Sequence, residues 1–194
     1  MRQIYLLSVI LMGLVTTGCF SPKAYVDPQF RRAKFEDIKP SDNSKPVVVK
    51  VSFQVNGKAK PRVDDYVRIR VMKVLREAKV RAEYKNQQTA GPHLAIVVNN
   101  LADVGDAGTK GAATGLTFGL AGCEVVDNYE MTAVYTPADG PPITKKYKHA
   151  LHSTIGAHSA PVGMEPVPRE LAFDQIMEDM LLNLLCDLQH EGAL

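Results

Sequence analysis

The feature that most constrains the fold is a change in the spacing of apolar residues along the chain. From Val47 to Val55 nearly every second residue is apolar, as in a half-buried strand. From Pro61 to Lys79 the apolar residues follow the 3.6-residue period of a helix, and His93 to Leu101 is apolar on both faces, as in an inner strand. A strand, a helix and a second strand predict a βαβ unit with parallel strands.

The C-terminal half of the chain predicts a hairpin and a long helix. Glu124–Thr136 and Ile143–Thr154 are the two arms, joined by a turn rich in Pro and Gly. The second arm carries three lysines, which is typical of a sheet edge. Glu170–His190 has a broad apolar face and predicts the second helix. The element order β-α-β-β-β-α predicts an α+β fold, a small mixed β-sheet with two helices packed on one face.

The first 18 residues have the composition of an export signal. Arg2 precedes an apolar stretch from Ile4 to Val15, and small residues precede Cys19. The apolar stretch has about 12 residues, fewer than the roughly 20 that a membrane-spanning helix needs. The run Thr16-Thr17-Gly18-Cys19 resembles the lipobox of bacterial lipoproteins.

That resemblance implies cleavage after Gly18 and acylation of Cys19 with fatty acids such as palmitate. Two or more acyl chains hold a protein firmly on its membrane. Phe20 follows the cysteine in place of an aspartate that resembles an inner-membrane retention signal, so the resemblance implies the periplasmic face of the outer membrane. The alternative is an ordinary signal peptide followed by an unrelated cysteine.

We therefore divide the chain into three parts. Residues 1–18 are the signal peptide, residues 19–46 are the lipidated N-terminus with a flexible tether, and residues 47–194 form a single α/β periplasmic domain. The tether prediction rests on four prolines, many charges and no sustained apolar period, a composition that buries too little surface to offset its ordering entropy. Within it, Arg31-Arg32-Ala33-Lys34 either contacts anionic headgroups or is a solvated charge run.

The segment between the second strand and the hairpin is rich in glycine. Six glycines fall between residues 105 and 122, and three of them are spaced by four residues among apolar side chains. Such spacing permits close backbone approach, which predicts a close-packed connector or a contact surface for a partner or lipid. The candidate partner-contact residues are Gly111, Gly115, Leu116, Phe118 and Gly119.

The titratable and nucleophilic residues match no catalytic or metal-binding motif. Strand alternation places His149 and His152 on opposite faces, and with His158 they lack metal-ligand spacing, so we expect no metal and no cofactor. Cys123 and Cys186 remain once Cys19 is lipidated. A helical wheel places Cys186 on the outer side of its helix, which disfavours a disulfide but leaves it open.

The overall charge of the mature chain is nearly balanced. Removing residues 1–18, which contain one basic and no acidic residue, leaves 22 basic and 21 acidic residues, so the sequence predicts no nucleic-acid partner. The first helix nevertheless has a basic face. It is either a binding face or, as we favour, a solvated outer face, formed by Arg68, Arg70, Lys73, Arg76 and Lys79.

Together these features predict a non-enzymatic accessory or assembly factor of an envelope transport or secretion complex. It would be held to the membrane by Cys19 and would bind an envelope protein. In element order the domain is similar to small envelope lipoproteins of the lipopolysaccharide-assembly and transport-auxiliary families. Two alternatives remain open: a small envelope hydrolase that uses Cys123 or a histidine, and a periplasmic inhibitor or immunity-type binding protein.

Overall fold

The computed structural model describes residues 22–40, 45–85, 91–102, 122–156 and 158–194. Within these residues there are two α-helices, α1 (Pro61–Glu77) and α2 (Arg169–His190), and two short 3-10 helices, Pro28–Phe30 and Phe35–Asp37. The strands are β1 (Lys23–Val26), β2 (Val47–Val55), β3 (Lys58–Ala59), β4 (Ala82–Tyr84), β5 (His93–Leu101), β6 (Cys123–Thr136), β7 (Ile143–Ile155) and β8 (Pro166–Val167).

The strands form one mixed sheet, which confirms the predicted α+β class. Their order is β3-β2-β5-β6-β7-β1-β8, and β4 pairs with β2. The parallel pair β2 and β5 is connected through α1, as the change in apolar period predicted. The pairs from β5 through β6 and β7 to β1 are antiparallel. The predicted hairpin is therefore β6 and β7, in the centre of the sheet.

Both α-helices share one core with the sheet. The apolar stripe of α1 and most of α2 pack with alternate residues of β2, β5 and β6, so one face of the sheet is covered. The side chains in this core are among the most deeply buried of the described residues, for example Val67 and Val71 of α1 with Met180 and Leu184 of α2.

The lysine-rich arm β7 is an edge over only half its length. Its first half, with Lys145, Lys146 and Lys148, pairs with β6 on one side, and no other strand of the described chain pairs with it. Its second half is covered by β1, which pairs with residues Leu151–Thr154. The lysines thus mark the part of the strand that has one neighbour, as expected for an edge.

The prediction of a flexible tether over residues 19–46 is wrong for the part that the structure describes. Lys23–Val26 is strand β1, inserted between β7 and β8. Tyr25 is 2% exposed, and Ala33 and Ile38 belong to the buried core. Residues 22–40, called the N-terminal segment below, are therefore part of the domain. The composition of the segment did not predict its place in the domain, because its apolar residues follow no regular spacing.

Candidate functional site

The residues that the sequence marked as functional lie outside the described part of the chain. These are the predicted lipidation site Cys19 and the candidate contacts Gly111, Gly115, Leu116, Phe118 and Gly119. The described residues beside both regions are ordered in the sheet. β1 begins four residues after Cys19, while β5 ends at Leu101 and β6 begins at Cys123.

Polar side chains of α2 bind the backbone of the N-terminal segment, in addition to the apolar contacts that this segment makes in the core. Asn183 is 4% exposed, and its Oδ1 accepts hydrogen bonds from the backbone N–H groups of Arg32 (3.2 Å) and Ala33 (3.0 Å). Its Nδ2 donates to the backbone carbonyl of Phe30 at 3.0 Å. Gln189 makes the same kind of contact further on, accepting from the Lys39 N–H at 3.0 Å and donating to the Lys39 carbonyl. Side chains thus replace the strand partners that this irregular backbone lacks.

A buried charged group reinforces this attachment. Asp179 Oδ2 lies 3.2 Å from His149 Nε2, and its Oδ1 lies 3.3 Å from Arg31 Nε. The His149 side chain is fully buried, with its ring 5.2 Å from that of Phe30. Glu178 also contacts Arg31, at 3.6 Å; burial raises the pKa of the Glu178 carboxyl, whereas the Arg31 charge lowers it. Removing one member would leave another buried without its partner, which is costly.

Several of the polar contacts of α2 come from one stripe along the helix. Asp179, Asn183 and Asp187 are spaced by four residues and so share a helix face. Asp187 accepts a hydrogen bond from the Tyr147 hydroxyl at 2.6 Å and pairs with Arg32 at 3.3 Å. Burial, and then the bond to Asp187, raise the pKa of the Tyr147 phenol. The spacing was visible in the sequence, but nothing in it showed which segment the stripe would bind.

Two other histidines contact the carboxylates of Glu124 and Asp27. His152 Nδ1 lies 2.6 Å from Glu124 Oε1, and its Nε2 lies 3.7 Å from Asp27 Oδ2. His158 Nε2 lies 3.6 Å from Glu124 Oε2. The opposite-face prediction is confirmed, since His149 contacts α2 whereas His152 contacts β6 and the end of β1. Among the residues described, no three His, Cys, Asp or Glu side chains are arranged to hold a metal ion.

The two remaining cysteines are both free, so the disulfide that the sequence left open does not form. Cys123 is 7% exposed at the start of β6. Cys186 is half-buried on α2, with its Sγ 3.9 Å from His190 Nε2. Cys186 was predicted to lie on the outer side of α2. Asp179 and Leu182 lie on the same side and are buried, and the N-terminal segment contacts this side through Arg31 and Asp179.

The strand register shows where the N-terminal segment enters the sheet. Lys23 pairs with Thr154 of β7, and Thr154 pairs with Glu124 of β6. We call this line of residues the Lys23 row. Leu101, the last residue of β5, pairs with Asn128, only four residues along β6 from Glu124. The glycine-rich segment therefore leaves and re-enters the sheet on the side of the Lys23 row.

A second line of residues crosses the opposite end of the sheet. Glu83 of β4 pairs with Val48, Val48 pairs with His93, and His93 pairs with Thr136. We call this line the Glu83 row. Thr136 lies 12 residues beyond Glu124 along β6, which corresponds to roughly 40 Å at about 3.3 Å per residue. The Lys23 row and the Glu83 row thus mark two well-separated ends of the domain.

Some side chains of the basic face of α1 contact other parts of the domain, and others are exposed. Arg68 pairs with Asp65 at 2.9 Å and stacks on Tyr84, and Arg70 pairs with Asp174 of α2 at 2.5 Å. These arginines serve internal contacts of the domain. The cations near the end of the helix, Arg76 and Lys79, are exposed.

Comparison with known proteins adds little to this description. No protein-family profile matches the chain, and no curated protein matches it. One solved structure that is similar is that of an uncharacterized protein, 12% identical, which covers 75% of this chain and 87% of its own length with a TM-score of 0.30. A TM-score this low carries no argument. No helix in the described ranges is long and apolar enough to cross a membrane.

Proposed function

We propose that the chain is a bacterial lipoprotein, anchored through Cys19 to the periplasmic face of the outer membrane. There it acts as a non-enzymatic accessory or assembly factor of an envelope transport or secretion complex. The observation that carries this proposal is the closeness of the folded domain to the predicted anchor. β1 begins at Lys23, four residues after Cys19, and it is a buried part of the sheet.

The short connection limits how far the domain can stand from the membrane. Four residues span at most about 14 Å when fully extended, so the Lys23 row would stay within that distance of the acylated cysteine. The Glu83 row lies at the other end of the sheet and would point away from the membrane. Because the N-terminal segment is fixed on α2, the domain would keep one orientation. That favours holding or assembling a partner over diffusion through the periplasm.

The partner in this proposal is an envelope protein, and nucleic acid is not expected because the mature chain is nearly neutral. The glycine-rich segment stays a predicted contact for that partner. It would leave the sheet on the membrane side, since it is attached on the side of the Lys23 row. Its candidate residues are Gly111, Gly115, Leu116, Phe118 and Gly119.

The anchoring is tested by the mass of the mature N-terminus and by membrane fractionation. We expect a chain that begins at acylated Cys19 and pellets with outer membranes, and a Cys19→Ser variant that is released. Cys186→Ser is the matched control and should stay in the membrane fraction. An unmodified N-terminus at another residue, or a Cys19→Ser variant that still pellets after a carbonate wash, would contradict the anchor.

The accessory role is tested by crosslinking in native membranes. We expect one envelope protein in near-equal amount, recovered with the lipidated chain and lost with the Cys19→Ser variant. Turnover of lipid or peptidoglycan fragments by the purified chain, abolished by Cys123→Ala, would contradict this role and favour the hydrolase.

A further inference from the structure

The first half of β7 is a free edge of the sheet in the described part of the chain. Residues 143–149 pair with β6 on one side, whereas β1 pairs with β7 only from Leu151 to Thr154. The connection at residues 137–142 precedes this half and the rest of β7 follows it, and the structure describes both. A free edge presents backbone N–H and C=O groups to which another strand can add.

Three residues of this half direct their backbone groups away from β6. The Asp27 N–H donates to the Ala150 carbonyl at 3.3 Å, so the backbone of Ala150 points to the side opposite to β6. Backbone direction alternates along a strand, so every second residue before Ala150 points the same way. These residues are Thr144, Lys146 and Lys148, which we call the β7 edge. Among the described residues, none forms a hydrogen bond with these outward backbone groups.

The side chains of the β7 edge lie on the face of the sheet opposite to the helices. The two residues between them, Lys145 and Tyr147, contact Glu191 after the end of α2 and Asp187 within α2. Side chains alternate between the two faces of a strand, so those of the β7 edge face the other way. All three are exposed. A strand added to this edge would thus bring alternate side chains next to exposed lysines.

The charge of the β7 edge selects the kind of strand that can add to it. Lys146 and Lys148 form no ion pair with a described residue, although Glu130 of β6 is the cross-strand neighbour of Lys148. A second copy of the chain, paired antiparallel about the two lysines, would place lysine opposite lysine, which is destabilising. A strand with carboxylates at alternate positions would instead form a charge pair with each lysine. The edge therefore disfavours a second copy and favours an acidic strand.

We propose that the β7 edge binds an extended acidic segment of a partner protein as an added strand, with carboxylates beside Lys146 and Lys148. Main-chain hydrogen bonds supply affinity in this kind of binding, and alternate side chains supply specificity. The inference rests on the proposed function, in which the chain binds an envelope protein, and it names the chemistry of one contact. An anionic lipid of the anchoring leaflet is a poorer fit. Lys146 pairs with Thr132, eight residues along β6 from Glu124 and so roughly 26 Å from the Lys23 row.

The test uses the full chain in detergent and a fluorescent peptide of about nine residues that alternates Glu and Val, with binding followed by anisotropy. We expect saturable binding that Lys146→Ala weakens by about threefold, as for the loss of one exposed charge pair. A rise in salt concentration should weaken it as well. Lys58→Ala, an exposed lysine on β3 at the other side of the sheet, should leave binding unchanged. A peptide that alternates Lys and Val should not bind.

Lys146→Pro tests the backbone contact separately from the charge. Proline lacks the N–H donor, but this N–H points away from β6, so the β6–β7 ladder keeps its hydrogen bonds. We expect Lys146→Pro to bind at least about threefold more weakly than Lys146→Ala. Hydrogen exchange needs no substitution: the Lys146 and Lys148 amides should exchange more slowly once the peptide is bound. The Tyr147 amide, which faces β6, should stay protected with and without it.

Four results would overturn the proposal. They are absence of saturable binding, equal binding by Lys146→Ala and Lys146→Pro, unchanged exchange at the Lys146 amide, and displacement of the peptide by short-chain phosphatidylglycerol. Each would leave the anchoring through Cys19 and the accessory role untouched, because mass spectrometry and crosslinking in native membranes test those separately.

Discussion

Helices α1 and α2 pack on the same face of the sheet, but their outer sides differ. The outer side of α1 is exposed: Ile69 is 61% exposed and Tyr66 is 44% exposed. The outer side of α2 is covered by the N-terminal segment, so Asp179 and Asn183 are each only 4% exposed. Long charged side chains dominate the outer side of α1, whereas short hydrogen-bonding side chains spaced by four residues mark that of α2.

This difference shows which kind of helix surface receives another segment. An Asn or Asp side chain is short enough to satisfy the backbone of a neighbouring irregular chain without leaving space between them, and Asn183 makes three such contacts. A long Lys or Arg side chain keeps its charge in water more easily. Short polar residues within an otherwise apolar helix therefore indicate positions where another segment of the chain can pack on the helix.

The largest effect should follow from removing the N-terminal segment. A chain that begins at residue 46 loses β1 and the burial of Tyr25 and Ile38, worth roughly 1.5–3 kcal/mol each. Because the total stability of a domain is only about 5–15 kcal/mol, we expect no cooperative melt. Circular dichroism would measure it, with a chain that begins at Pro22 as the control. A melt of equal sharpness and temperature in both chains would show that the segment is a tether after all.

A smaller loss should follow from Asn183→Ala. The variant leaves the N–H groups of Arg32 and Ala33 and the carbonyl of Phe30 without their partner, and we expect a loss of about 2 kcal/mol. Denaturant unfolding would measure the difference. Asn128→Ala, an exposed asparagine on β6, is the control and should change stability by less than about 0.5 kcal/mol. Equal effects of the two substitutions would remove the special role given to α2.

The smallest effect should come from the outer side of α1. Ile69→Ser replaces an exposed side chain, so the free energy of unfolding should change by less than about 0.5 kcal/mol. A loss close to that of Asn183→Ala, measured by the same unfolding experiment, would mean that something covers this side of α1 too. The comparison between the two helices would then fail.

The sequence predicted the central fold well because apolar spacing is a local signal. The bounds of β2 and β5 are those predicted, and α1, α2 and the β6–β7 hairpin differ from their predictions by one or two residues. The N-terminal segment was missed because its partners are far away in the sequence: 150 residues separate Ala33 from Asn183. The sequence also could not show that His149 would be buried against Asp179. Strand alternation predicts the face of the sheet on which a side chain lies, but it does not predict which residue that side chain contacts.

The most direct test of the account is hydrogen exchange at the Ala33 amide in the full chain. This N–H is buried and bonded to Asn183 Oδ1. We expect it to exchange at least about 100-fold more slowly than in an unfolded peptide, because opening it requires the segment to leave α2. Exchange at the rate of an unfolded peptide, while amides in the middle of α2 stay protected, would contradict the claim that the N-terminal segment is part of the folded domain.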